Sequence, residues 1–262
     1  MKNNSLSVIK IGGNIIDNPE ASKNFLEKFS DLPGAKILIH GGGKVATQTA
    51  SRLGIETRMV EGRRITDRAM LEVVTMVYGG LVNKNIVATL QSLKTNAIGL
   101  TGADAGIIEA EKRPVKTIDY GYVGDVKSVN SAILTNFLEN GLVPVIAPLT
   151  FSAAGDLLNT NADTMASAAA VALAGNFNVS LIYCFEKDGV LSDPDNDESV
   201  ISALEPGLYA TYKQSGVINK GMIPKLDNSF DALAKGVGRV VICHAKDLHA
   251  AVEGSKGTQI HL

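Results

Sequence analysis

Short runs rich in Val and Ile recur along the chain, at Leu6 to Ile11, Lys36 to Ile39, Ala97 to Leu100, Val143 to Ala147, Val179 to Cys184 and Arg239 to Cys243. Their length and branching mark them as buried strands. Amphipathic stretches separate them, so the pattern predicts a mainly parallel sheet with helices on both faces, whose ligand sites lie beyond the C-terminal ends of the strands. From about Asp67 to Leu93, Met70, Val73, Val74, Val77, Leu81, Ile86, Val87 and Leu90 recur at three-to-four spacing and predict one long apolar helix face. Gly79 and Gly80 in mid-helix point to close approach of another element, a second subunit being one candidate. Two segments break the alternation, Glu56 to Thr66 and Ile107 to Val129 with its Pro114, Gly121 and Gly124. Both read as hairpins decorating the sheet, the pieces from which a lid would be built.

The chain has 262 residues, 45% of them hydrophobic and 20% charged, enough to bury a large core. Lys and Arg total 25 against 27 Asp and Glu, and no basic cluster stands out, which argues against a nucleic-acid partner. The longest apolar runs, near Leu142 to Leu149 and Met165 to Gly175, are shorter than the roughly 20 residues that span a bilayer. The polar stretch Met1 to Asn4 and the early Lys10 do not fit a signal peptide. Cys184 and Cys243 each end an apolar run and read as buried free thiols, so a cytoplasmic location is expected.

Candidate chemistry gathers at the strand ends. The first strand runs into Gly12 and Gly13, where missing side chains let backbone N–H groups approach an anion, and Lys10 stands beside that turn. A lone strand lysine is also compatible with a snorkelling surface residue. The second strand ends in His40-Gly41-Gly42-Gly43 and leads into a helix beginning near Val45. Three glycines at such a junction make a phosphate or carboxylate site, where a tight turn alone needs one or two. Neither a Walker loop nor a Gly-x-Gly-x-x-Gly fingerprint occurs, so phosphate chemistry needs lysines from elsewhere.

Lys225, in Gly221-Met222-Ile223-Pro224-Lys225, opens an amphipathic helix, where the dipole disfavours a cation and a bound anion is expected. The run Leu158-Asn159-Thr160-Asn161-Ala162-Asp163 opens another helix with more polar groups than one cap consumes, so at least one of them faces a ligand. Arg64, in Gly62-Arg63-Arg64-Ile65-Thr66, is suited to clamp a substrate carboxylate in bidentate fashion.

Taken in order, these five motifs resemble the N-acetylglutamate kinases of the amino-acid kinase family, and the match spans almost the whole chain. The resemblance implies a three-layer αβα sandwich, a single amino-acid kinase domain in which residues 1–175 form a lobe for the acylated amino acid and residues 176–262 a lobe for ATP. It places Lys10 and Lys225 on the phosphoryl group in flight and Asp163 between them as their orienter. Gly42, Gly43, Arg64 and Asn159 would contact the acylated glutamate, and Gly12 and Gly13 the ATP phosphates. Glu186, Lys187, Asp188, Gly189, Val190, Leu191, Val217, Ile218 and Asn219 would hold base and ribose. The implied reaction is ATP-dependent phosphorylation of a side-chain carboxylate to an acyl phosphate, an early step of arginine biosynthesis. Magnesium would arrive with the phosphates, so no protein-only metal cage is expected.

The chain departs from the family pattern at Lys44, Glu186 and Lys220. An N-succinyl substrate would add a carboxylate and call for an extra cation, for which Lys44 or Arg63 is available. Related alternatives are another phosphoryl acceptor within the family and a non-catalytic nucleotide or amino-acid sensor; three retained charged residues argue against the sensor. The first strand begins within about six residues of Met1, too early for the N-terminal helix of arginine-inhibited relatives, so an arginine-insensitive homodimer is expected.

Overall fold

The computed structural model describes residues 4–60, 62–193, 195–218 and 221–262. All six expected strands form, as Ser5–Ile11, Ala35–His40, Ala97–Leu100, Val143–Ile146, Asn178–Phe185 and Arg239–His244. They belong to an eight-stranded sheet. Ser5–Ile11 lies between Asn178–Phe185 and Ala35–His40, parallel to both, and Val143–Ile146 and Ala97–Leu100 continue the parallel sheet on one side. Arg239–His244 extends it on the other side. Two short strands absent from the sequence reading, Thr258–Ile260 and Ala203–Leu204, complete that edge, with Thr258–Ile260 running antiparallel to Arg239–His244.

Successive strand residues point to opposite faces, and the burial follows this period of two. Ile9, Ile11, Leu38, Ile182 and Val241 pack under helices Pro19–Asp31 and Leu248–Glu253 and the long helical segment Arg68–Ser92. Leu6, Val8, Ile37, Leu181 and Val240 pack under helices Ser131–Glu139, Ala162–Leu173 and Ile223–Ala234 on the other face. The result is the αβα sandwich the resemblance implied. Lys10 shares parity with Leu6 and Val8, so its side chain emerges on the face where the helices carrying Asp163 and Lys225 lie.

The long helical segment is apolar enough by length and composition alone to cross a membrane, a property the sequence reading assigned to no stretch. Its Met70, Val73, Val74, Val77, Ile86 and Leu90 are buried in the core beneath the sheet. Between Thr75 and Val82 its bonds widen to the i→i+5 pattern, which turns Leu81 outward, at 52% exposure, against the apolar face predicted for it. Gly79 faces inward, where an added Cβ would lie 3.4 Å from Leu149, whereas Gly80 has open space beside it.

Both decorating hairpins are present. Met59–Val60 pairs with Arg63–Arg64, and Ile108–Lys112 pairs with Val123–Val129. The second hairpin closes with Leu149–Phe151 and Leu157–Thr160 into a small four-stranded barrel. Leu158 to Thr160 is thus strand, and the helix expected from that motif begins only at Ala162. Thr66 joins the two hairpins: its N–H donates to the Tyr120 carbonyl at 2.9 Å and its carbonyl accepts from Tyr122 at 2.7 Å.

Candidate active site

Because Ser5–Ile11 and Ala35–His40 are parallel neighbours with Ile11 opposite His40, their two glycine loops leave the sheet side by side. They touch without side chains between them. A Cβ on Gly41 would lie 3.0 Å from the Gly13 nitrogen, and one on Gly13 would lie 3.4 Å from the Gly42 nitrogen. Gly42 adopts φ +153°, which favours glycine, and the Tyr78 ring closes to 3.1 Å of where its Cβ would be. Gly12 departs from expectation: its N–H donates to the Cys184 carbonyl at 3.0 Å and is therefore not free for a phosphate. That bond is a consequence of Asn178–Phe185 lying beside the first strand.

The triple-glycine loop is also tethered from below. His40 is fully buried; its Nδ1 lies 2.7 Å from the Gly41 carbonyl and its Nε2 lies 3.2 Å from the Asn83 amide, which also donates to the Val145 carbonyl. Donation from Nδ1 and acceptance at Nε2 satisfy a neutral ring. Burial, only partly countered by the Gly41 bond, pushes the imidazole down to about 4.

Three charged side chains distant in sequence converge. The Lys10 Nζ lies 2.8 Å from one Asp163 oxygen and the Lys225 Nζ 3.1 Å from the other, with all three side chains no more than 19% exposed. Burial alone would raise the Asp163 carboxyl, but the two lysines outweigh it and hold the group well below the usual carboxylate range. Burial lowers Lys225, Asp163 pulls it back up, and Lys10 lowers it further. The Lys225 ammonium also lies over the Tyr183 and Phe185 rings, at 5.2 and 5.4 Å. Where a bound anion was expected near the first turn of Ile223–Ala234, the structure places the protein's own Asp163. In the same motif Asn161 is the cap, accepting from the Thr164 N–H at 3.0 Å, while Asn159 donates to the Thr66 hydroxyl at 2.9 Å.

A cleft of about 220 Å³ opens beside this group, lined by Gly41 to Gly43, Arg64, Tyr78, Asn159 and Ala162 among others. Arg64 is buried and mostly spent on the protein: Nη2 donates to the Gly43 carbonyl at 2.9 Å and the Thr47 hydroxyl at 2.8 Å, and Nη1 to the Thr57 hydroxyl at 3.2 Å. It does not present a free bidentate fork, because a buried guanidinium must satisfy its donors; it braces the glycine loop and supplies charge to the cleft. Sequence reasoning missed Tyr78 and Arg113 among the lining residues. Tyr78 had a signal, a hydroxyl within an otherwise apolar helix face; Arg113, held by Asp125 through Nε at 3.1 Å, had none.

A second cavity, about 120 Å³, is lined by Phe185, Lys187, Gly189, Val190, Leu191, Val217, Ile218 and Met222. It contains most of the segments expected to hold a nucleotide base. Lys187 reaches it, yet its ammonium pairs with Asp197, and Asp188 pairs with Lys246 instead. Val190 donates its N–H to the Thr258 hydroxyl at 2.8 Å, fixing the loop. Asn219 and Lys220 lie outside the described residues. Phe185, under Lys225, lines this cavity, and Ala162 and Thr164, flanking Asp163 in sequence, line the first, so neighbours of the charged triad line both.

Two buried ammonium groups on one carboxylate, in a fold whose packed glycine loops and neighbouring residues line two cavities, define the class: an αβα protein equipped to handle a transferring anionic group. The chain belongs to the amino acid kinase family, whose model matches residues 5–244. It is 58% identical over 258 residues to the acetylglutamate kinase of Cytophaga hutchinsonii, covering 97% of this chain and 98% of that one. It is 52% identical to the acetylglutamate kinase of Parabacteroides distasonis, with 97% and 98% coverage. Among solved structures it resembles a protein of Streptococcus mutans UA159 with a TM-score of 0.81, 28% identity and 98% coverage of both chains.

Proposed function

We propose that this chain transfers the terminal phosphoryl group of ATP to the side-chain carboxylate of N-acetyl-L-glutamate, giving an acyl phosphate in arginine biosynthesis. The observation that carries the reading is the buried Lys10–Asp163–Lys225 group, whose neighbours Ala162, Thr164 and Phe185 line the two cavities. A carboxylate is already ionised at neutral pH, so the acceptor needs no general base. The barrier is the approach of two anions, and what lowers it is alignment and fixed positive charge. Lys10 and Lys225 supply that charge at the phosphoryl group. Asp163 holds both ammonium groups in place, and its depressed carboxyl stays an anion throughout the working range.

The cleft at Gly42, Gly43, Arg64 and Asn159 takes the acylated glutamate, with Arg64 adding charge and bracing the loop. The loops at Gly12 and Gly13 approach the phosphates, and the cavity of Gly189 to Leu191 with Val217 and Ile218 receives the base. On this reading residues 1–175 are the acceptor lobe and residues 176–262 the nucleotide lobe, in line with the residues lining the two cavities. Among the described residues no cluster of three or more His, Cys, Asp or Glu is placed to hold a metal alone. Magnesium carried in by the nucleotide would neutralise phosphate charge during transfer.

The test is turnover of ATP with N-acetylglutamate, N-succinylglutamate, glutamate and aspartate, trapping acyl phosphate with hydroxylamine. Hydroxamate from N-acetylglutamate is expected. Formation from N-succinylglutamate alone would reassign the acyl group, and none from any acceptor would remove the kinase reading.

We further propose a cytoplasmic homodimer that does not use nucleic acid or membrane as partner. Met76 and Leu81, five residues apart on the widened helix turn, are 55% and 52% exposed beside the open face of Gly80, which fits a second copy. Sedimentation should give a dimer for the wild type and a monomer for Met76→Glu with Leu81→Glu; a monomeric wild type would refute it.

A further inference from the structure

Asp17 has no role in the reaction derived above, yet its carboxylate lies against the first glycine loop. It caps the end of the short turn Gly13–Ile16, and its N–H returns to the Gly13 carbonyl at 2.8 Å. One carboxylate oxygen lies 3.9 Å from where a Gly13 Cβ would be, the point that is also 3.4 and 3.5 Å from the Gly42 and Gly43 nitrogens. Both oxygens are closed off from solvent, and neither has a hydrogen-bond partner among the described residues. Such a group calls for an explanation, of which an ion or ordered water is the usual one.

Burial raises the Asp17 carboxyl, Lys44 opposes this, and the nearby negative charge of Glu186 raises it again. The functional reading puts nucleotide phosphates on these same loops, so a bare carboxylate here would repel the substrate. A hydrated divalent cation between the two removes the conflict. Magnesium keeps several of its waters when bound, and those waters are donors that match two free acceptor oxygens.

We propose that Asp17 is a cation-positioning residue, whose two free carboxylate oxygens hold the hydrated magnesium ion that accompanies the nucleotide. The proposal rests on the nucleotide-binding reading of the loops. It makes magnesium dependence a property of one side chain in the acceptor lobe rather than of the nucleotide alone.

The test is calorimetric titration of ADP into wild type and Asp17→Asn, each with magnesium and with a chelator. Magnesium should tighten ADP binding about tenfold or more in the wild type and about threefold or less in the variant, the scale of one charge-assisted contact. Without magnesium the variant should bind ADP more tightly than the wild type, because the repelling charge is gone. An equal magnesium effect in both proteins overturns the proposal, as does a parallel weakening with and without magnesium, which would mark Asp17 as a structural brace. No ADP binding by the wild type under either condition would instead overturn the nucleotide reading on which the proposal stands. Thermal unfolding checks the variant's fold; if Asp17→Asn does not fold, Asp17→Ser is titrated in the same way.

Discussion

Replacing Asp163 by Asn keeps the shape of the side chain and removes its charge, leaving Lys10 and Lys225 facing each other with no counter-ion. Their ammonium groups lie 2.8 and 3.1 Å from the carboxylate, and the lysine side chains are only 11% exposed, so water does little to replace it. Removing one partner of a buried ion pair costs about 3–5 kcal/mol, against a total stability of about 5–15 kcal/mol. That corresponds to a loss of about 1–2 M in the urea midpoint. Turnover, measured by hydroxamate formation, should fall about 10²–10³-fold, the scale for a lost preorganised electrostatic contact.

Two further signatures separate this account from simple damage. Asp163 is the nearest carboxylate raising the Lys225 ammonium against burial and Lys10, so in the variant that lysine loses its proton more easily and residual activity should rise as pH is lowered. Sulfate or ADP should also recover part of the lost stability by taking the place of the carboxylate. In the wild type the folded carboxyl is depressed, so its contribution to stability is fully present above the unfolded value of about 4 and is lost as pH falls below it. The variant lacks that acid step. A variant with an unchanged urea midpoint and turnover within about threefold would show that the triad does not carry the chemistry.

His40 should produce a second pH dependence in a separate window. Its folded value of about 4 lies below the unfolded value of about 6.5, so the unfolded chain takes up the proton first and stability falls, by up to about 3 kcal/mol, as pH drops from 6.5 to 4. Burial also lowers His244, so urea midpoints at pH 7.5 and 5 should be compared with those of His40→Gln, in which the larger part of the step disappears. Gly42→Ala would place a Cβ 3.1 Å from the Tyr78 ring on a backbone at φ +153°, costing about 1–3 kcal/mol and raising KM for the acylated amino acid. Unchanged kinetics and stability there would mean the loop yields freely and does not set the cleft.

The residues expected to act were mostly legible because their signals are local. Glycine pairs and triples at strand ends, a lysine at strand parity with core residues, and a helix start crowded with polar groups each read within a few positions. What they touch was less legible. Arg64 looked like a free fork but is spent on Gly43, Thr47 and Thr57, and Gly12 looked like a free donor but serves Cys184. Asp17 carried no signal, being one acidic residue before a helix cap. The four-stranded barrel escaped notice because Leu149–Phe151 and Leu157–Thr160 are three and four residues long, too short for a period of two to register.

The sequence by itself determined the alternation of strands and helices, the faces on which core residues and Lys10 lie, and the places where only glycine fits. These follow from interactions within a few residues, the 3.6 and 2.0 periods and the sterics of φ. Only the tertiary structure decided that Lys10, Asp163 and Lys225 share one point, that two glycine loops interlock, and that residues next to the triad line two cavities. Those outcomes depend on strand order and register, which are set by how both faces of the sheet are covered at once and not by any single segment.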